Sequence, residues 1–144
     1  MDGTISLGII GVLLLLLNVN AIDRPIFITE RMLQAARPMK EICYELANVS
    51  EEEVNEASNG NFIAGNNIGC YTHCIWERMG LLDELDNVKT NVLENLLPEN
   101  VKDEIISTLI VCQRQNPAMS DKCSRTLAIL KCYCSLSPKT YYLM

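Results

Sequence analysis

Residues 70–74 read Cys-Tyr-Thr-His-Cys, and this pentapeptide decides how the rest of the chain is read. Two cysteines four positions apart lie on one face of a helix, one turn above the other. On a rigid helix they cannot readily bridge each other, so each is placed to tie that helix to a different neighbour. Cys43, Cys112, Cys123, Cys132 and Cys134 supply the possible partners, and 26, 3, 37, 10, 8 and 1 residues separate the seven in order. Cys123 and Cys132 fall on opposite sides of a helix at about 100° per residue, and they too point to different partners. Six cysteines permit fifteen connectivities, and spacing does not choose among them.

Cysteine used this way belongs to an oxidising compartment, and the N-terminus agrees. Leu7 to Leu17 is an apolar run of 11 residues, whereas a bilayer span needs about 20. With Val19 and Ala21 as small residues before a cut, it fits a secretory signal over residues 1–21. That leaves 22–144 as a single domain and argues against stable membrane insertion. No Lys or Arg precedes the run, and a buried N-terminal helix is the alternative reading. The chain has 12 basic and 18 acidic residues, a net charge of −6. Loss of Asp2 with the signal brings this near −5, with no basic cluster anywhere. Nucleic acid and anionic membrane surfaces both require a positive footprint and are excluded as partners.

Helix signals fill the mature chain. Thr29 caps a segment in which Met32, Ala36, Met39, Cys43 and Leu46 form one stripe, with Pro38 expected to kink it or start its second half. Ser50-Glu51-Glu52-Glu53 is a capping box opening a short helix that Asn59-Gly60 closes. Asn66-Asn67 reads as a turn before a third helix, which carries Cys70 to Met79 and stops at Gly80. A fourth helix is expected from about Val88 to Leu97, and a fifth after Pro98, with Ile105, Leu109 and Cys112 as its stripe and Ile106 and Ile110 widening it. After Asn116-Pro117, Ser120 is expected to cap a sixth helix through Cys134. Its run Leu127-Ala128-Ile129-Leu130 leaves no polar face. Strand-type alternation and repeats are absent, and the fold class is all-α.

The order Cys43-x26-Cys70-x3-Cys74-x37-Cys112-x10-Cys123-x8-Cys132 resembles the six-cysteine signature of insect odorant-binding proteins. The likeness extends over the mature chain, through Val49-Ser50-Glu51-Glu52, Cys70-Tyr71-x-x-Cys74, Gly80 and Leu96-Leu97-Pro98-Glu99. It implies a compact six-helix domain around an apolar cavity, with Cys43–Cys74, Cys70–Cys123 and Cys112–Cys132 paired. It also implies a secreted carrier of small hydrophobic ligands such as odorants or pheromones, without a cofactor, as a monomer or weak homodimer, with a chemosensory receptor as a further candidate partner. A lipophile carrier in haemolymph, saliva or reproductive fluid is one alternative. A secreted helical interaction or defence protein without a cavity is another. Release at lowered pH is a further implication, here acting through carboxylates or His73.

Cys134 departs from the signature. A free buried thiol, a dimer-forming thiol and an alternative bridge to Cys112 are its three readings. Zinc is disfavoured because structural sites show ligand pairs in both halves and sit in reducing compartments. No catalytic residues are assigned. His73 is the only histidine, the Asp that follows the histidine in secreted phospholipases is replaced by Cys74, and no Gly-x-Ser-x-Gly elbow occurs. His73 therefore reads as a partly exposed helix residue, and Asn48-Val49-Ser50 as a sequon that needs Asn48 exposed. The candidate pocket residues are Met32 and Ala36 on the first helix, Trp76, Met79 and Leu81 around the third, and Val88 and Val92 on the fourth. Ile106 and Ile110 on the fifth and Leu127 and Leu130 on the sixth complete the helical set. Trp76 offers a large apolar face, and Met79 an adaptable thioether. The apolar C-terminus adds Tyr141, Tyr142 and Leu143 as a lid, with a tyrosine hydroxyl as candidate ligand donor.

Overall fold

The computed structural model describes residues 24–144, and three of its six helices begin at a side-chain cap, Thr29, Ser50 or Asp121. The signal over residues 1–21 lies outside the described residues. Helix α1 (Glu30–Ala47) starts at Thr29, whose Oγ1 accepts from the Met32 N–H at 3.2 Å. It ends at Asn48 in the left-handed conformation (φ 52°). The helix runs through Pro38 without being divided by it. The expected stripe fails at its end, because the buried face steps four residues from Cys43 to Ala47 and leaves Leu46 68% exposed. Helix α2 (Glu51–Ser58) carries the complete capping box: Glu53 N–H donates to Ser50 Oγ at 3.1 Å, and Ser50 N–H to Glu53 Oε2 at 2.8 Å.

Helix α3 (Asn66–Arg78) starts earlier than expected. Gly65, at φ 57°, makes the turn, so Asn66 and Asn67 belong to the first helical turn. Helix α4 (Thr90–Leu96) is shorter at its start, because Val88 pairs with Leu82 in an isolated antiparallel bridge. Helix α5 (Glu99–Gln115) follows Pro98 and buries Ile105, Leu109 and Cys112, the stripe read from sequence. Helix α6 (Lys122–Leu136) is capped by Asp121, whose carboxylate accepts from the Ser124 N–H at 3.0 Å. Ser120 has no such role.

The packing is built on α3 against α6, with α1 and α2 against α3 and α5 against α6. At the α3–α6 crossing the backbones touch. A Cβ added to Gly69 would lie 1.9 Å from the Cys123 carbonyl oxygen, so only glycine fits. Beside it, Cys70–Cys123 closes with Cα atoms 4.4 Å apart. Cys43–Cys74 fastens α1 to α3, and Cys112–Cys132 fastens α5 to α6. The two cysteines of the pentapeptide do reach different neighbours. By loop-closure entropy each bridge contributes roughly 3–4 kcal/mol, a large share of the ~5–15 kcal/mol of a typical domain.

A polar clamp holds the loop between α3 and α4. Arg125, buried in α6, donates to the Asp86 carbonyl at 2.9 Å, to Asn87 Oδ1 at 2.7 Å and to the Asn116 carbonyl at 2.9 Å. The Asp86 carboxylate meets Lys122 Nζ at 2.9 Å and His73 Nε2 at 3.1 Å. Lys122, and after it His73, hold the Asp86 carboxyl below its ordinary range. His73 is a partly exposed residue of α3, as expected, with its side chain 14% exposed. Asp86 stands at φ 58°, in the left-handed region that aspartate and asparagine adopt in turns.

Candidate functional site: an apolar cavity closed by the C-terminus

Between α1, α3, α4, α5, α6 and the C-terminal tail lies a cavity of about 430 Å³, within the usual range of roughly 300–1,000 Å³ for small-molecule sites. Helix α3 supplies one wall from Tyr71, Thr72, Ile75 and Trp76, with Met79 at its end. These positions recur at three- and four-residue steps, so they share a face. Met32, Ala35, Ala36 and Met39 of α1 stand opposite, preceded by Phe27 and Ile28. Leu93 of α4, Ile105 and Leu109 of α5, and Ile129, Leu130 and Tyr133 of α6 complete the helical lining. Exposed Ala35 and Leu96 mark where the cavity reaches the surface. None of the lining residues is Asp, Glu, Lys, Arg or His.

The tail completes the enclosure. Ser137, Thr140, Tyr141 and Leu143 are buried, and Thr140 to Met144 all line the cavity. At the tail's base, Thr140 Oγ1 lies 2.6 Å from both Tyr133 Oη and Ser137 Oγ, and Ser137 Oγ donates to Glu104 Oε1 at 2.7 Å. Further along, Tyr141 Oη donates to the Ala57 carbonyl at 2.8 Å, and Tyr71 Oη donates to the main-chain oxygen of Met144. Burial pushes the hydroxyls of Tyr71, Tyr133, Tyr141 and Tyr142 up from their ordinary values. They remain protonated donors at any physiological pH.

Of the fourteen pocket candidates, nine line the cavity: Met32, Ala36, Trp76, Met79, Leu81, Leu130, Tyr141, Tyr142 and Leu143. Five do not. Val88 is occupied by the bridge, its N–H bound to Gln113 Oε1. Val92, Ile106 and Ile110 each sit beside the residue that faces inward, namely Leu93, Ile105 and Leu109, about 100° round the helix. Leu127 is buried instead in the α3–α6 crossing, its backbone nitrogen against Gly69. Of the two tail tyrosines whose hydroxyls were candidate ligand donors, Tyr141 has its hydroxyl committed to the Ala57 carbonyl. Sequence reasoning missed Thr72 and Ile75, although both share the helical face of Trp76 and Met79. It also missed Phe27 and Ile28, which precede any helical periodicity.

Cys134 is a free, half-buried thiol facing Gly60, and burial raises its pKa. Asn48 is exposed, as its sequon requires.

Six helices, three bridges and an apolar interior of this size define a disulfide-bonded helical binding protein. The chain belongs to the PBP/GOBP family, whose model matches residues 27–135; that family binds small hydrophobic ligands, and its members are typically secreted. Solved structures share the fold. Odorant binding protein 5 of Apis mellifera superposes with a TM-score of 0.66 at 19% identity, covering 80% of this chain and 96% of that one. Odorant binding protein 7 of Anopheles gambiae, which has four disulfide bridges and is in complex with an azo compound, gives 0.67 at 23% identity, covering 79% and 92%. Odorant binding protein 4 of Chrysopa pallens gives 0.64 at 22%, covering 81% and 99%. Among the described residues, no helix is long and apolar enough to cross a membrane.

Proposed function

We propose that the protein is exported by the signal over residues 1–21 and carries one small hydrophobic molecule through an extracellular fluid inside this cavity. The observation that carries the reading is the cavity itself, about 430 Å³ of apolar space in a shell held by three covalent bridges. Unfilled volume destabilises a core in proportion to its size, and the bridges offset that loss. Burial of each CH₂ is worth about 0.8 kcal/mol, and micromolar affinity needs about 8 kcal/mol. A ligand of roughly ten to sixteen carbons reaches that range after its own ordering is subtracted.

The tail acts as a lid, since Tyr141 and Leu143 exchange contact with the cavity for contact with solvent when it lifts. The same geometry serves a sensory lymph or another body fluid, and the tissue of expression separates these uses. Displacement of a fluorescent naphthylamine from the non-reduced secreted protein, by aliphatic compounds of ten to sixteen carbons, tests the carrier reading. One saturable site with micromolar competition is expected, and failure to bind the probe or any competitor would overturn it. Mass spectrometry of the same material reports the cleavage site and any glycan at Asn48.

A further inference from the structure

Helix α5 carries more apolar surface than the core takes up. Ile105, Leu109 and Cys112 are its buried inward face. On the opposite side, at about 100° per residue, Asp103, Ser107, Ile110 and Arg114 fall within about 60° of one another. Ile106, half-buried, and Val111, exposed, flank this stripe. All four stripe residues are exposed, and Ile110 and Val111 are each 38% exposed. Among the described residues, neither Asp103 nor Arg114 has an ion-pair partner. Ser107 Oγ donates to the Glu104 carbonyl at 3.1 Å, so its hydroxyl needs no outside partner. An acid near the start of a helix and a base near its end suit the helix dipole, but the dipole does not require them to share a stripe with an exposed isoleucine. On α1, Ile42 and Leu46 form another exposed apolar pair one turn apart, and the exposed charges beside them, Glu41 and Glu45, are of one sign.

The α5 stripe is its own complement when reversed. Two copies of the helix laid antiparallel about a two-fold axis between residues 108 and 109 set Asp103 against the partner's Arg114. They also set Ser107 against the partner's Ile110, and Ile106 against the partner's Val111. Small meets large near the centre, opposite charges meet at both ends, and the symmetry makes each contact twice. We infer that this outer face of α5 is the contact surface between two copies of the chain. One helix pair buries less than the roughly 1,200 Å² at the low end of standard interfaces, so the dimer is weak, half-associated near about 0.1 mM. The cavity wall is untouched, because Ile105 and Leu109 line it from the other side of the helix.

The test is sedimentation velocity of the oxidised protein from about 10 µM to about 1 mM, in the wild type, Ile110→Asp, Asp103→Arg, Arg114→Asp and the double variant Asp103→Arg/Arg114→Asp. Each is repeated with Cys134→Ala, which removes any thiol-linked pair, and circular dichroism with melting temperature checks the fold. The wild type is expected to dimerise reversibly with or without Cys134. Each single variant should weaken association at least about tenfold, Ile110→Asp by placing a charge in the apolar centre and the other two by setting like charges opposite each other. The double variant exchanges the charges and should return association to within about threefold of the wild type. A wild type that stays monomeric throughout, or a dimer indifferent to Ile110→Asp, overturns the inference. A double variant that fails to recover what the single charge variants lost overturns the antiparallel pairing. Should Ile110→Asp not fold, the charge exchange decides alone.

Discussion

The α3–α6 crossing and the C-terminal tail bound the same cavity by opposite means. At the crossing a glycine lets backbone touch backbone and a disulfide locks the contact. Along the tail, the last five residues are held by hydrogen bonds from tyrosine hydroxyls and by the buried Thr140, Tyr141 and Leu143, with no covalent link. One boundary fixes the shape of the interior. The other is held by non-covalent contacts alone, and the proposed lid would open there. The difference teaches where opening is cheap: a carrier with every wall bridged would hold its cargo but could not exchange it.

The largest expected effect breaks the rigid side. Replacing Cys70 and Cys123 together by serine should lower unfolding free energy by about 4 kcal/mol, read from denaturant midpoints, with ligand affinity falling as the wall loosens. Gly69→Ala should follow at about 3 kcal/mol, because the added methyl meets a backbone carbonyl that cannot swing aside. Removing residues 138–144 attacks the other side. Net of the chain entropy regained, it should lower stability by about 2 kcal/mol and speed probe dissociation by at least about tenfold. Unchanged affinity and dissociation rate would end the lid. Tyr141→Phe keeps the ring and removes the bond to Ala57, so it should lower stability by about 1 kcal/mol.

The smallest effect concerns pH. Asp86 has its pKa lowered by Lys122 and then His73. Its contribution is therefore complete above the unfolded carboxyl value and is lost as pH falls through the lower folded value. For a partly exposed pair this is under about 1 kcal/mol. Asp86→Asn should flatten the wild-type fall in melting temperature below about pH 4. The bond from Tyr141 Oη to the Ala57 carbonyl should contribute nothing to that fall, since neither group titrates in that range.

The same contrast governs how much could be read from the chain alone. Covalent and local features were legible. Cysteine spacing marked α3 as the element tied to two others, Ser50 and Glu53 announced their reciprocal cap, and Ile105, Leu109 and Cys112 traced the inward face of α5. The pairing itself came from family likeness, since geometry left it open. What escaped depended on how elements meet. Periodicity gives a stripe but not its phase to within one residue, so Ile106 and Ile110 were chosen beside Ile105 and Leu109, and Val92 beside Leu93. Leu127 was taken for a wall residue because nothing in the sequence says that Gly69 brings two helices into backbone contact there. Arg125 gave no sign of its burial, because its partners are two carbonyls and a side-chain amide from two separate segments, Asp86-Asn87 and Asn116.

Cys134 carries a consequence for how the molecule is made. Once folded, burial keeps its sulfur largely protonated beside Gly60 and slows exchange with the neighbouring bridge. Before packing is complete it has no such shield, and it stands two positions from Cys132, the residue that must find Cys112. Oxidation of the nascent chain therefore meets a decoy nucleophile at its C-terminal end. Yield in an export pathway should depend on disulfide isomerase more strongly for the natural chain than for one with alanine substituted at that position.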